Sequence, residues 1–109
     1  MEERRKYPRV NVSFPVECKN LPTQDYFYTV SKDLSLVGVK IISNAFLTKG
    51  DILALNLNLV NRVLNLKAKV AWCNRERVAD RYAVGLEFIE VGNTLKDKLS
   101  AFLNKIYNA

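Results

Sequence analysis

The residues best suited to chemistry stand near the start of the chain, in the stretch RRKYPR at residues 4–9. This stretch places three arginines and a lysine within six positions, ahead of any pattern that could pack into a core. The arginine guanidinium is always charged and presents a planar fork that matches the oxygen atoms of an anion. The stretch is therefore interpreted either as a solvated basic end or as a segment that closes on an anion.

A second group of polar residues lies in SKDLSLVGVKI at residues 31–41, between two predicted strands. Asp33, Ser35 and Gly38 follow the spacing D-x-S-x-x-G. Aspartate and serine side chains can cap backbone N–H groups in a turn, and glycine can supply a positive φ. Taken alone, this spacing is explained by a turn that has no ligand.

Composition excludes several kinds of chemistry. The chain has no histidine, which removes Ser-His-Asp and Cys-His catalysis and the commonest metal ligand. Cys18 and Cys73 are far apart, fit no zinc spacing and are predicted to be buried free thiols. No paired acid constellation is present either, so an enzyme is not expected.

Charge and hydropathy bear on partners and location. The formal net charge of +6 predicts an acidic partner, such as a nucleotide, a nucleic acid or an anionic membrane surface. The start MEERR is not followed by the apolar segment of a signal peptide, and no uncharged stretch is long enough to span a bilayer. A cytoplasmic, reducing location is the expectation.

Alternation of apolar and polar residues predicts six short strands, with Gly85 in the last of them marking a bulge or a close backbone approach. The fifth strand is expected to point Leu64, Leu66, Ala68, Val70 and Trp72 inward. The predicted strands cover residues 10–18, 25–30, 37–42, 52–60, 63–72 and 81–91.

The period changes after Gly92, where apolar residues recur at intervals of three and four. That spacing predicts an amphipathic helix at about 93–107. Short turns and the lack of crossover helices predict an antiparallel all-β fold, a six-stranded barrel in which the C-terminal helix covers an open end or edge. A β-sandwich is the alternative. The barrel and helix would occupy residues 10–109, and residues 1–9 would form a flexible basic segment.

The two motifs together carry more information than either alone. An RxxxR motif (Arg5, Arg9) ahead of the first strand, the D-x-S-x-x-G turn between the second and third, and a terminal helix occur in that order. This order resembles the PilZ domain family, which binds cyclic di-GMP. The resemblance runs from Arg4 to about Ile106, and all five defining positions are intact. It implies a six-stranded antiparallel β-barrel with a helix at its end.

The resemblance also implies roles for individual residues. Arg5 and Arg9 would hold phosphate oxygens and the guanine Hoogsteen edge, as residues 1–9 fold over the ligand like a switch. Asp33 would accept hydrogen bonds from guanine N1–H and N2–H, Ser35 would contact base or phosphate, and Gly38 would leave room. The chemistry agrees, since arginine matches guanine O6 and N7 bidentately and an ionised aspartate only accepts.

Other basic residues could add to such a site. Arg4 immediately precedes the motif, and in some family members this position bears on whether one ligand or a stacked pair binds. An arginine there is compatible with the pair. Arg75, Arg77 and Arg81, near a predicted hairpin, either extend the basic surface or belong to a solvated tip.

Function therefore has one leading interpretation and two alternatives. The leading interpretation is a cyclic di-GMP receptor that presents a changed surface to a downstream protein of motor, secretion, polysaccharide-synthesis or transcription machinery. One alternative is a basic barrel that binds nucleic acid, although such surfaces usually carry exposed aromatic residues. Phe14, Trp72, Tyr82 and Phe88 are expected to face inward, which leaves Tyr26, Phe27 and Tyr28 as the exceptions. The other alternative is a ligand-independent adaptor.

Overall fold

The computed structural model describes residues 13–60, 62–77 and 79–107. The described chain forms six strands followed by one helix, in agreement with the predicted order of elements. The elements are β1 (Pro15–Asn20), β2 (Tyr26–Lys32), β3 (Gly38–Ser43), β4 (Ile52–Leu59), β5 (Arg62–Arg75), β6 (Tyr82–Ile89) and α1 (Asn93–Tyr107).

The six strands close into a barrel in the order β1-β2-β3-β6-β5-β4, and β4 returns to pair with β1. Every neighbouring pair is antiparallel. The predicted barrel is confirmed, and the sandwich alternative is wrong. Closure gives each of the six described strands a partner on both sides, although β2 and β3 are joined only at Ser31–Ile41 and Lys32–Lys40.

Side-chain alternation builds the core. The inward positions of β4 and the first part of β5 are nearly inaccessible, whereas the intervening residues are mostly exposed. Burial of this apolar surface is the main stabilising contribution to the fold. The inward side chains of these two strands are Leu53, Leu55, Leu57, Leu59, Leu64, Leu66, Ala68 and Val70.

The alternation in β5 is interrupted after Val70. The register between β5 and β6 shifts there, because Val70 pairs with Leu86 while Trp72 pairs with the next residue, Gly85. Such a bulge inserts one extra residue and reverses which later side chains face inward. The prediction that Trp72 points into the core is therefore wrong: the residue is 41% exposed, and Cys73 takes the position opposite buried Val84.

The helix α1 contributes one apolar face to the core. Leu99 is fully buried and Leu103 nearly so. Phe102 packs edge-on against Phe14, with 5.3 Å between ring centroids. Helix α1 therefore packs beside the residues that lead into β1, next to the start of the described chain.

Candidate ligand-binding site

The turn between β2 and β3 is held together by Ser35. Its backbone N–H donates to the Gly38 carbonyl at 2.9 Å, and its Oγ accepts from the Val37 N–H at 3.2 Å. The Ser35 hydroxyl also donates to the Gly38 carbonyl at 3.4 Å, and the residue is buried. A hydroxyl has one donor and two acceptor positions, so in this arrangement one acceptor position remains. Ser35 thus organises the turn.

Asp33 occupies an unusual backbone conformation in the same turn. Its φ is +51°, in the left-handed region that aspartate tolerates better than most residues. Leu34, the next residue, is fully buried and anchors the turn in the core. The Asp33 side chain is one-third exposed, and its Oδ2 lies 3.6 Å from the Lys40 Nζ. The turn therefore presents a carboxylate at the surface with a cation beside it.

Gly38 has a different structural role from the one that its type first indicates. Its φ lies outside the left-handed region, so a positive φ is not the reason for glycine at this position. Gly38 pairs with Glu87 on β6, and a Cβ added to it would overlap the backbone carbonyl oxygen of Leu86. Gly38 is required because two backbones approach closely at this point.

An open cleft of about 300 Å³ lies beside this turn. The bulge in β5 lays the indole of Trp72 over Gly85, where a Cβ would overlap the ring. The half-exposed indole thus forms one wall, opposite the D-x-S-x-x-G turn. The polar and aromatic lining residues are Asp33, Ser35, Lys40, Trp72 and Glu87.

Trp72 is the residue of this cleft that sequence reasoning missed. Unbroken alternation assigned it to the core, whereas a bulge turns it outward. The available signal was Gly85 in the middle of a strand, which indicated a bulge or a close approach. Trp72 pairs with Gly85, and the indole fits there because Gly85 has no side chain.

The predicted arginines Arg4, Arg5 and Arg9 lie outside the described residues. The described chain begins with an anchor to β2: Phe14 N–H donates to Ser31 Oγ at 3.1 Å, and Ser31 N–H donates to the Phe14 carbonyl at 2.8 Å. Ser31 precedes Asp33 by two residues. Arg9 precedes Phe14 by five residues, and a segment of that length spans at most about 17 Å.

Comparison with known families supplies the decisive observation. The family model for the PilZ domain matches residues 3–105. The chain belongs to the PilZ domain family. The resemblance identified from the two motifs is thereby confirmed. A search of curated protein sequences finds no match to this chain.

Several solved structures share this PilZ fold. The PilZ domain of YcgR from Escherichia coli, solved with c-di-GMP, superposes with a TM-score of 0.80 at 18% identity, covering 97% of this chain and 93% of that one. The Bacillus subtilis inhibitor of motility MotI gives 0.80 at 18% identity, covering 97% of this chain and 53% of that one. MrkH of K. pneumonia gives 0.81 at 14% identity, covering 99% and 50%. The chain spans about half the length of the last two.

Other parts of the described PilZ domain bear on whether a basic site, a metal site or a membrane span lies away from the cleft. At the β5–β6 hairpin, Arg75 pairs with Asp80 at 3.1 Å and Arg81 with Glu76 at 2.6 Å, so these two arginines are compensated. Within residues 13–60, 62–77 and 79–107, no cluster of acidic or cysteine side chains has the geometry of a metal site. No helix in this part of the chain is long and apolar enough to cross a membrane.

Proposed function

We propose that this PilZ domain is a receptor for cyclic di-GMP, which binds in the cleft between the Asp33–Gly38 turn and Trp72. The observation that carries the proposal is that the motif turn and an exposed indole line one cleft. The hydrogen bonds between Phe14 and Ser31, two residues before Asp33, support it. YcgR and MrkH have both been solved in complex with c-di-GMP. The domain acts by binding, not by catalysis.

Each side of the cleft suits one part of the ligand. Asp33 is an acceptor when ionised, which matches the N1–H and N2–H donors of guanine. The indole of Trp72 offers a flat face for a base, and stacking of this kind contributes about 1–3 kcal/mol per base. Gly38 adds no side chain to the cleft that it lines, and Ser35 keeps an acceptor position for a base N–H. The turn and the indole therefore recognise guanine.

The phosphates are assigned to the basic segment. Arg5 and Arg9 bind phosphate oxygens and the guanine O6/N7 edge through their planar forks, and Arg4 is placed to help hold a second, stacked ligand molecule. Residues 1–9 are strongly basic and lack an apolar run, so the segment gains little from packing by itself. Ligand binding orders this segment against the turn and changes the surface that a downstream protein meets.

The downstream partner is proposed to be a protein of motor, secretion, polysaccharide-synthesis or transcription machinery in the bacterial cytoplasm. Among the structural neighbours, MotI is described as an inhibitor of motility and MrkH as a c-di-GMP-dependent transcription regulatory factor. The range of these neighbours shows that the fold alone does not select one class of partner.

A nucleic-acid-binding barrel is the second candidate, favoured by exposed aromatics on β2. Tyr26 and Tyr28 are 53% and 72% exposed and pack edge-on against each other. The hydroxyl of Tyr26, however, donates to the Glu17 carboxylate at 2.6 Å, and this bond lowers the pKa of Glu17. A carboxylate held ionised at the hydroxyl of Tyr26 repels a phosphate backbone, so we place this candidate second.

Calorimetric titration with cyclic di-GMP and cyclic di-AMP tests the proposed function. Adenine lacks the N1–H and N2–H donors and presents an amino group where guanine has O6. With roughly 1–3 kcal/mol lost per unpaired polar group and two bases per ligand, we expect discrimination of at least about 100-fold. Measurements at low and physiological salt separate this recognition from bulk charge. Similar affinities that both collapse with salt would contradict a guanine-specific receptor.

A further inference from the structure

The charges that line the described cleft are not suited to an anion. Two carboxylates, Asp33 and Glu87, face one cation, Lys40. Cyclic di-GMP brings two phosphates to this place, and like charges close together repel. A site that uses a carboxylate to read guanine therefore needs a nearby positive charge to make that carboxylate compatible with an anionic ligand.

Lys40 stands where such a charge is needed. It lies on β3, two residues after Gly38, and its Nζ is 3.6 Å from Asp33 Oδ2. It pairs with Gly85 of β6, the residue that supports the indole of Trp72. Both side chains of the ion pair are 33% exposed, so the pair is partly desolvated and stronger than a pair at the open surface. Lys40 thus stands between the guanine-reading carboxylate and the aromatic wall.

We infer that Lys40 is a positioning residue that holds Asp33 and neutralises its charge, so that the turn can read guanine beside two phosphates. This inference rests on the proposed function and adds a residue outside both sequence motifs. At 3.6 Å the contact with Lys40 is an ion pair and not a hydrogen bond, so the lone pairs of the Asp33 carboxylate stay available to a guanine. Lys40 therefore stays paired when ligand binds.

Lys32 provides a matched control. It is paired with Lys40 across the β2–β3 ladder and is exposed, but it does not line the cleft. Lys32→Met and Lys40→Met remove the same charge from adjacent strands. Any difference between them reports the position of the charge, since the net charge is equal in the two variants.

The test is calorimetric titration with cyclic di-GMP of the wild-type chain, Lys40→Met, Lys40→Arg and Lys32→Met at low and physiological salt. For a partly exposed pair we expect Lys40→Met to weaken binding by about three- to tenfold, and Lys32→Met by less than about twofold. Salt should reduce the difference in affinity between Lys40→Met and the wild type, because it screens the repulsion between the Asp33 carboxylate and the ligand phosphates. Lys40→Arg should recover most of the affinity, and unchanged urea midpoints would show that the fold is intact.

A double-mutant cycle with Asp33→Asn separates positioning from direct contact. Without the carboxylate there is no charge to neutralise, so Lys40→Met should cost little in the Asp33→Asn background. An equal loss in both backgrounds would mean that Lys40 acts on the ligand directly and would overturn the inference, as would unchanged or tighter binding by Lys40→Met. Failure of the wild-type chain to bind cyclic di-GMP would instead remove the proposed function itself.

Discussion

At Asp33, backbone and side chain place separate demands on one residue. The left-handed φ of +51° restricts the position to residues that tolerate it, chiefly glycine, asparagine and aspartate. The guanine recognition that we propose for this side chain requires in addition an acceptor-only group. Aspartate meets both demands, which the motif spacing alone does not explain.

A series of substitutions at Asp33 separates the two demands. Asp33→Asn and Asp33→Gly should leave the free energy of unfolding nearly unchanged, whereas Asp33→Ala should lower it by roughly 1–2 kcal/mol through left-handed strain. Binding of cyclic di-GMP should fall about 10- to 100-fold in Asp33→Gly and less in Asp33→Asn, which keeps one acceptor. Urea unfolding and calorimetry check the two effects. Wild-type affinity in Asp33→Gly would contradict the assigned role.

At the scale of the element, the bulge in β5 determines the aromatic wall of the cleft. Without the register shift after Val70, the alternation of β5 would continue and Trp72 would join the core. The extra residue turns the indole outward over Gly85, on the same face as Lys40. One irregularity in a 14-residue strand therefore gives a surface of the barrel its capacity to stack a base.

Trp72 is the single tryptophan of the chain, so its fluorescence reports on the cleft alone. We expect cyclic di-GMP to quench or shift this emission in step with the calorimetric binding curve. Trp72→Ala should weaken binding by about tenfold, the loss expected for one stacked base, and Trp72→Phe should retain part of the affinity. Emission that does not respond to saturating ligand would show that the base binds elsewhere.

At the scale of the whole molecule, burial of Cys18 links folding to pH. This thiol lies in the core with no exposed surface, and burial raises its pKa from 9.0 to about 12. The unfolded chain therefore loses this proton at lower pH than the folded chain. The stability that the neutral thiol contributes is complete below about pH 9 and declines as pH rises toward 12.

The expected result is a loss of unfolding free energy between pH 8 and 10.5 that is steeper in the wild type than in Cys18→Ala. The Cys18 contribution has a limiting slope of about 1.4 kcal/mol per pH unit. Cys73→Ala is the matched control, since it removes the half-buried thiol and leaves Cys18 in place. Urea titrations across this range measure the slopes. Parallel slopes in the wild type and Cys18→Ala would show that Cys18 does not carry the effect.

Local sequence patterns predicted the strands, the helix and the family of this chain. Alternation along β4 and β5, and the change of period after Gly92, placed the strands and the helix, because side-chain direction follows backbone geometry with periods of 2 and 3.6. The spacing of Arg5, Arg9, Asp33, Ser35 and Gly38 identified the family, since its signature consists of residue types at fixed intervals. The roles of these residues stay predictions.

The tertiary structure decided the strand pairing and the residues that meet at the cleft, which no local sequence pattern specifies. The pairing of β3 with β6 and of β4 with β1 closes the barrel and joins strands that are not consecutive in the chain, whereas β2 and β5 pair only with their sequence neighbours. The pairing of β3 with β6 brings Lys40 opposite Gly85 and requires glycine at position 38, because the Leu86 carbonyl lies against it. The register shift between β5 and β6 exposes Trp72. The sequence by itself determined the elements and the family. The walls and charges of the cleft come from contacts between strands, which depend on the packing of the whole barrel.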